Sequence, residues 1–171
     1  MKPIAPRDSP SHQPLLIEFL YLDLTRCTRC RDTDRHVDEA LSSVRDVLQT
    51  AGRELAVNKI HIQSEDRARE LGFVSSPTIR VNGRDIALDL KESECTSCGN
   101  ACGEEGIACR VWTYQGTDYD AAPAAMIVDA VLREVYGGLP QPVTPTPTSL
   151  SENLGRFFAA KATQRTKTGC C

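Results

Sequence analysis

The residues in this chain with the most chemical potential are its cysteines, eight among 171 residues. They fall into three groups: Cys27 and Cys30; Cys95, Cys98, Cys102 and Cys109; and Cys170 and Cys171. Three separated groups predict three separate tasks. In Cys27-Thr28-Arg29-Cys30, two intervening residues let the second thiol reach back and resolve a mixed disulfide formed by the first. Arg26, Arg29 and Arg31 surround the pair, and neighbouring positive charge lowers a thiol pKa by favouring the thiolate. The same spacing also serves as half of a zinc site, or as two ordinary buried cysteines.

Cys95-x2-Cys98-x3-Cys102-x6-Cys109 supplies four thiols in one short segment. Four thiolates suit tetrahedral zinc at about 2.3 Å. Cu(I), As(III), Hg(II) or an iron–sulfur cluster accept the same donors. Gly99, Gly103 and Gly106 would let a short loop wrap an ion. Two local disulfides, or four reduced thiols, are the plainer alternatives. Glu92, Glu94, Glu104 and Glu105 should raise these thiol pKa values, so a structural metal is expected here rather than a nucleophile. At the C-terminus, adjacent Cys170 and Cys171 close a disulfide only through a strained ring. They are expected to stay reduced and to act together as a clip for a soft cation, unless the tail is incidental.

Composition limits the partners. With 20 Lys+Arg against 23 Asp+Glu the net charge is −3, which excludes a generic grip on nucleic acid or anionic lipid. The longest apolar run, Leu15 to Leu24, is interrupted by Glu18 and Asp23 and is shorter than the roughly 18 residues of a membrane span. The first residues, MKPIAPRDSPSHQP, lack the apolar core of a secretory signal, so a cytoplasmic location is expected. In a reducing compartment, thiols serve more often as metal ligands or redox catalysts than as bridges.

Positioning elements can be read along the chain. Residues 1–14 are Pro-rich and expected to be disordered. Leu15 to Leu24 reads as a strand buried on both faces. Val37, Leu41, Val44 and Leu48 recur at steps of four, three and four, which predicts an amphipathic helix ending near Gly52. Cys27 therefore stands between a strand and a helix N-terminus, where unpaired N–H groups stabilise a thiolate. A second strand is expected over 54–62, then a helix capped by Ser64 with Gly72 near its end. Pro77 opens a further strand, and Asn82-Gly83 marks a hairpin tip. A cysteine-rich insert covers about 91–115, and Pro123 precedes a helix carrying Met126, Ile127, Ala130, Val131 and Val135. Alternating Pro and Thr after Leu139 predict an extended linker, followed by a short helix over 151–162 with Leu154, Phe157 and Phe158 as its apolar stripe.

Strand, CxxC, helix, strand, helix, then Ser76-Pro77-Thr78 entering a hairpin resembles the thioredoxin fold. That resemblance implies an α/β domain over 15–137 with a central mixed sheet flanked by helices, plus the cysteine-rich insert and a flexible tail over 138–171. It implies Cys27 as nucleophile, Cys30 as resolving thiol, Pro77 as a cis-proline and Ser76 as its substrate-facing neighbour. Arg26 and Thr28-Arg29 stand where thioredoxin itself has Trp and Gly-Pro. The stretches CTRC, GFVSSPTIRVNGRDI, CRVWTYQG and MIVDAVLREVYG resemble more closely a bacterial thioredoxin-like family of unknown function, number 2703. The expected activity is thiol–disulfide exchange at Cys27 and Cys30, with protein or small-molecule thiols and disulfides as partners. The alternatives are a non-enzymatic protein that binds or transfers As(III) or Hg(II), and a structural zinc module. One Zn²⁺ or another thiolate-bound metal is the cofactor expected, with no organic cofactor, nucleic acid or membrane partner.

Overall fold

The computed structural model describes residues 14–87, 89–137, 146 and 148–168. The expected disordered lead-in, apart from Pro14, lies outside these residues, as do most of the Pro/Thr linker, Cys170 and Cys171. The architecture is a mixed sheet flanked by helices, as expected. Its centre is β1 (Leu15–Tyr21), which pairs in parallel with β2 (Leu55–His61) and antiparallel with β3 (Thr78–Val81). A two-residue strand, β4 (Arg84–Asp85), completes the order β2-β1-β3-β4. The hairpin between β3 and β4 turns at Asn82-Gly83, both with positive φ (49° and 81°), as its dipeptide requires.

A central strand must be apolar on both faces, and β1 feeds two different cores. Leu15, Ile17 and Phe19 face α1 (Thr28–Thr50) and α4 (Ala124–Tyr136). The expected α1 stripe of Val37, Leu41, Val44 and Leu48 is buried there, joined by Met126, Ile127 and Val131. Leu20, and Leu22 just past β1, face the second core with Ile62, Ala68 and Phe73, around α2 (Glu65–Glu70), whose N-cap Ser64 Oγ accepts the Arg67 N–H. All six described cysteines lie in this second core.

The segment read as a metal-wrapping loop has secondary structure of its own. It comprises β5 (Lys91–Glu94), α3 (Thr96–Cys102) and β6 (Ala108–Tyr114), with β7 (Thr117–Tyr119) closing a three-stranded antiparallel sheet in the order β5-β6-β7. The turn into β7 has positive φ at Gln115 and Gly116, a second tight hairpin absent from the sequence reading. The Arg110 N–H of β6 donates to the Ser76 carbonyl at 2.8 Å, joining this sheet to the cis-proline corner.

The C-terminal region also differs from the expected loose tail. The anticipated short helix is α5 (Glu152–Thr168), longer than the 151–162 read from sequence. Leu154, Phe157 and Phe158 are buried among the cysteines, so this part of the tail is core rather than appendage. Asn153 fixes it to β6 by accepting the Ala108 N–H and donating to the Ala108 carbonyl, at 2.8 and 2.9 Å. The approach to α5 passes so close to Gly72 that a Cβ there would meet the Thr146 carbonyl at 2.4 Å; Gly72 also has φ +57°. Only glycine satisfies both demands. No helix of the described residues is long and apolar enough to cross a membrane.

Candidate metal centre

Cys27 is the N-cap of α1, with extended backbone (φ −80°, ψ 110°), and its Sγ accepts the Cys30 N–H at 3.3 Å. The turn leading to it is shaped by Asp23, whose Oδ1 accepts from Thr25 N–H, Thr25 Oγ1 and Arg26 N–H at 2.7–2.9 Å. Burial pushes the Asp23 carboxyl up, but the Thr25 and Arg26 hydrogen bonds outweigh it and hold the group below its ordinary value.

Cys95 caps the start of α3, Cys98 lies one turn along that helix, and Cys109 lies on β6. The sulfurs of Cys27, Cys95, Cys98 and Cys109 all lie within 4.8 Å of one another, and all four residues are buried. Cys98 and Cys109 stand 3.1 Å apart, well beyond the roughly 2.05 Å of a disulfide. Around zinc at about 2.3 Å, four sulfurs stand about 3.8 Å apart, so this group needs only small movements to become a tetrahedral ligand set.

The three expected groups are therefore redistributed. Cys27 is grouped with three cysteines of the insert, whereas its sequence partner Cys30 turns aside and places Sγ 3.3 Å from Ser76 Oγ. Cys102, the fourth insert cysteine, stands apart from the four sulfurs, and its contact is the Gly99 carbonyl at 3.7 Å. Cys102 shares a helix face with Cys98 but stands a full turn further on, a separation of about 5–6 Å that takes it past the cluster.

Electrostatics within the group follow from mutual hydrogen bonding. The Cys109 thiol, followed by those of Cys30, Cys95 and Cys98, holds Cys27 far below the ordinary thiol range, against the effect of burial. Cys109 is pushed up because it donates to Cys27, Cys95 and Cys98. Cys95 is lowered to about 7, chiefly by Cys109. At Cys98 the Cys109 contact lowers the pKa, but donation to Cys27 and Cys95, together with burial, raises it overall. Cys30 rises because it donates to Cys27 and is buried, and burial also raises Cys102. The site is organised around buried negative charge on sulfur, which a soft cation matches.

The arginines expected to stabilise the thiolate are placed differently. Arg26 and Arg31 are exposed. Arg29 reaches across to the insert, donating to Ser93 Oγ at 2.9 Å and to the carbonyls of Ser93, Glu94 and Cys109 at 3.3 Å, and pairs with Asp120 at 2.8 Å. It is a clamp between α1 and the β5–β6 hairpin, a role the sequence reading missed. The Ser76–Pro77 bond is cis and both residues are buried. Ser76 Oγ accepts the Leu22 N–H at 3.2 Å and lies beside Cys30. His36 and His61 hydrogen-bond the backbone carbonyls of Ala122 and Leu22, while His12 lies outside the described residues. The one sequence signal for the true grouping was repetition. Cys95-x-x-Cys98 copies the spacing of Cys27-x-x-Cys30, and in both pairs the first cysteine is a helix N-cap.

A family model described as "Domain of unknown function (DUF2703)" matches residues 15–131, and the chain belongs to that family. No curated protein and no solved structure matches it.

Proposed function

For this member of the DUF2703 family, we propose a thiolate metal-binding role in which Cys27, Cys95, Cys98 and Cys109 hold one soft cation. The observation that carries this reading is the convergence of four buried sulfurs from three separate chain segments to within 4.8 Å. Zinc suits four cysteine ligands, and it would fasten the insert to the N-terminus of α1. The insert supplies few apolar side chains of its own to the second core, Ile107 being the main one, so the metal would contribute folding energy there. As(III) and Hg(II) prefer the same donors and would enter as cargo. In that case Cys170 and Cys171, a few residues beyond Gln164, would assist delivery. The Gln164 amide is packed where a Cβ on Gly103 would project, and Gly103 and Cys95 line the same groove.

Thiol–disulfide exchange at Cys27 and Cys30 is the second reading. In its favour are Cys27 at the N-cap of a long helix and the cis Ser76–Pro77 bond. The sheet order β2-β1-β3-β4 also supports the thioredoxin-like fold on which this reading depends. Two features weigh against it. Cys27 is 0% exposed, so a protein disulfide cannot reach its sulfur. The Ser76 carbonyl, substrate-facing if the resemblance holds, already accepts the N–H of Arg110 from the chain's own β6.

Native mass spectrometry with metal analysis, on protein purified with and without reductant, tests the choice. One zinc per chain with all six core cysteines reduced is the expected result. Metal-free protein carrying a Cys27–Cys30 disulfide and reducing small disulfides catalytically would favour exchange instead. Cys170→Ser and Cys171→Ser should preserve zinc content while weakening Hg(II) and As(III) capture. Unchanged capture would remove the tail from the mechanism.

A further inference from the structure

Cys27 belongs to two thiol arrangements at once. Its sulfur is one of the four grouped atoms, and the same sulfur accepts the Cys30 N–H at 3.3 Å. Cys30 is fully buried and outside the four-sulfur group. Its Sγ lies 3.3 Å from Ser76 Oγ, whose lone pair is engaged by the Leu22 N–H, so the hydroxyl proton is free to point at the Cys30 sulfur. A structural tetrahedral site has no use for a fifth thiol held against one of its ligands.

We infer that Cys30 competes with the metal for Cys27, so that two-electron oxidation converts this pair to a disulfide and releases the cation. The inference rests on the metal-binding reading above. With hydrogen peroxide as oxidant, the Cys27 thiolate attacks one peroxide oxygen, giving a sulfenic acid and hydroxide. The Cys30 thiol then attacks the sulfenic sulfur, the S–S bond forms, and the sulfenic oxygen leaves as water. Two thiols have lost two electrons, and peroxide has gained them. The cation retains Cys95, Cys98 and Cys109, three ligands instead of four, and departs through the groove lined by Glu94, Cys95, Gly99 and Glu104. A dithiol reductant reverses the change by ordinary exchange. The sulfurs of Cys98 and Cys109 lie 3.1 Å apart, but both are metal ligands in the loaded state, whereas Cys30 is unligated and able to attack.

The test uses full-length, zinc-loaded protein treated with hydrogen peroxide, zinc release being followed by a chromogenic chelator and disulfides mapped by mass spectrometry. Release in step with a Cys27–Cys30 disulfide is expected. Cys30→Ser and Cys30→Ala should bind one zinc as before and release it about tenfold more slowly or less, because the sulfenic acid lacks its resolving thiol. Equal release rates in the variants, or a Cys98–Cys109 disulfide as the first product in the unaltered chain, would overturn the switch. Either result leaves the metal site standing. Failure of the unaltered chain to bind zinc at all would instead overturn the metal reading. If neither variant folds, the disulfide map of the unaltered protein decides alone.

Discussion

At the scale of single residues, membership of the four-sulfur group separates cysteines that sequence treats alike. Serine at Cys95, Cys98 or Cys109 should reduce zinc affinity by more than the roughly 10–100-fold typical of losing an outer partner. Cys102→Ser should leave it unchanged, because the Cys102 sulfur contacts the Gly99 carbonyl and not the cluster. Competition with a chelator of known affinity measures both. Proton counting probes the same sulfurs. Cys27 lies far below the ordinary thiol range, Cys95 near 7, and Cys98 and Cys109 above it. Zinc must displace whatever protons remain, so binding at pH 8 should release about two protons and binding at pH 6 about three, as Cys95 protonates between them. Affinity accordingly falls as pH drops through 7. Calorimetry in buffers of different ionisation enthalpy reads these counts, and a release of four at both pH values would show that the thiols are unperturbed.

At the scale of elements, the site depends on how three pieces are held together. Arg29 ties α1 to the β5–β6 hairpin through donors that end on Ser93, Glu94 and Cys109. Arg29→Met keeps much of the stem but removes those bonds. It should cost about 2 kcal/mol of stability, the scale of charged hydrogen bonds, and weaken zinc binding with it. Urea denaturation of apo and loaded protein separates the two effects. α5 is the cover of the second core, and Phe157 is 1% exposed within it. Phe157→Ala should destabilise the chain by about 3–5 kcal/mol. A loss below 1 kcal/mol would mean that α5 is not docked in solution. Removing everything past Gly138 therefore deletes core as well as tail thiols, and substitution of Cys170 and Cys171 is the cleaner probe of the tail.

At the scale of the molecule, β1 divides the interior into two cores with different means of support. The first is filled from β1, α1 and α4 by aliphatic side chains with Phe19 and Trp112; the second collects the six described cysteines with α2, α3 and α5. Metal removal should act on the second alone. Hydrogen exchange of chelator-treated protein is expected to show protection lost over β5, α3, the start of β6 and α5, with β1, β3 and α1 retaining theirs. Uniform loss across both cores would mean that they unfold as one unit and that the cluster is not a local staple.

Periodicity and turn chemistry were sufficient for the elements whose causes are local. The both-face apolarity of β1, the α1 stripe, the Ser64 cap and the Asn82-Gly83 turn are each decided by neighbours within a few residues. The cis proline was also legible, though only through the resemblance. The grouping of thiols was not, because it depends on which long-range contacts form. The Arg29 clamp, the Arg110–Ser76 bond and the Asn153 anchor join residues that lie far apart in sequence. Those contacts bring β6 across the cis-proline corner, and Cys109 arrives beside Cys27 with it. The CxxC spacing shows that Cys27 and Cys30 are near each other. Only the tertiary structure decides that Cys27 is also surrounded by the insert, because sulfur has no preference among neighbours until packing places them within reach.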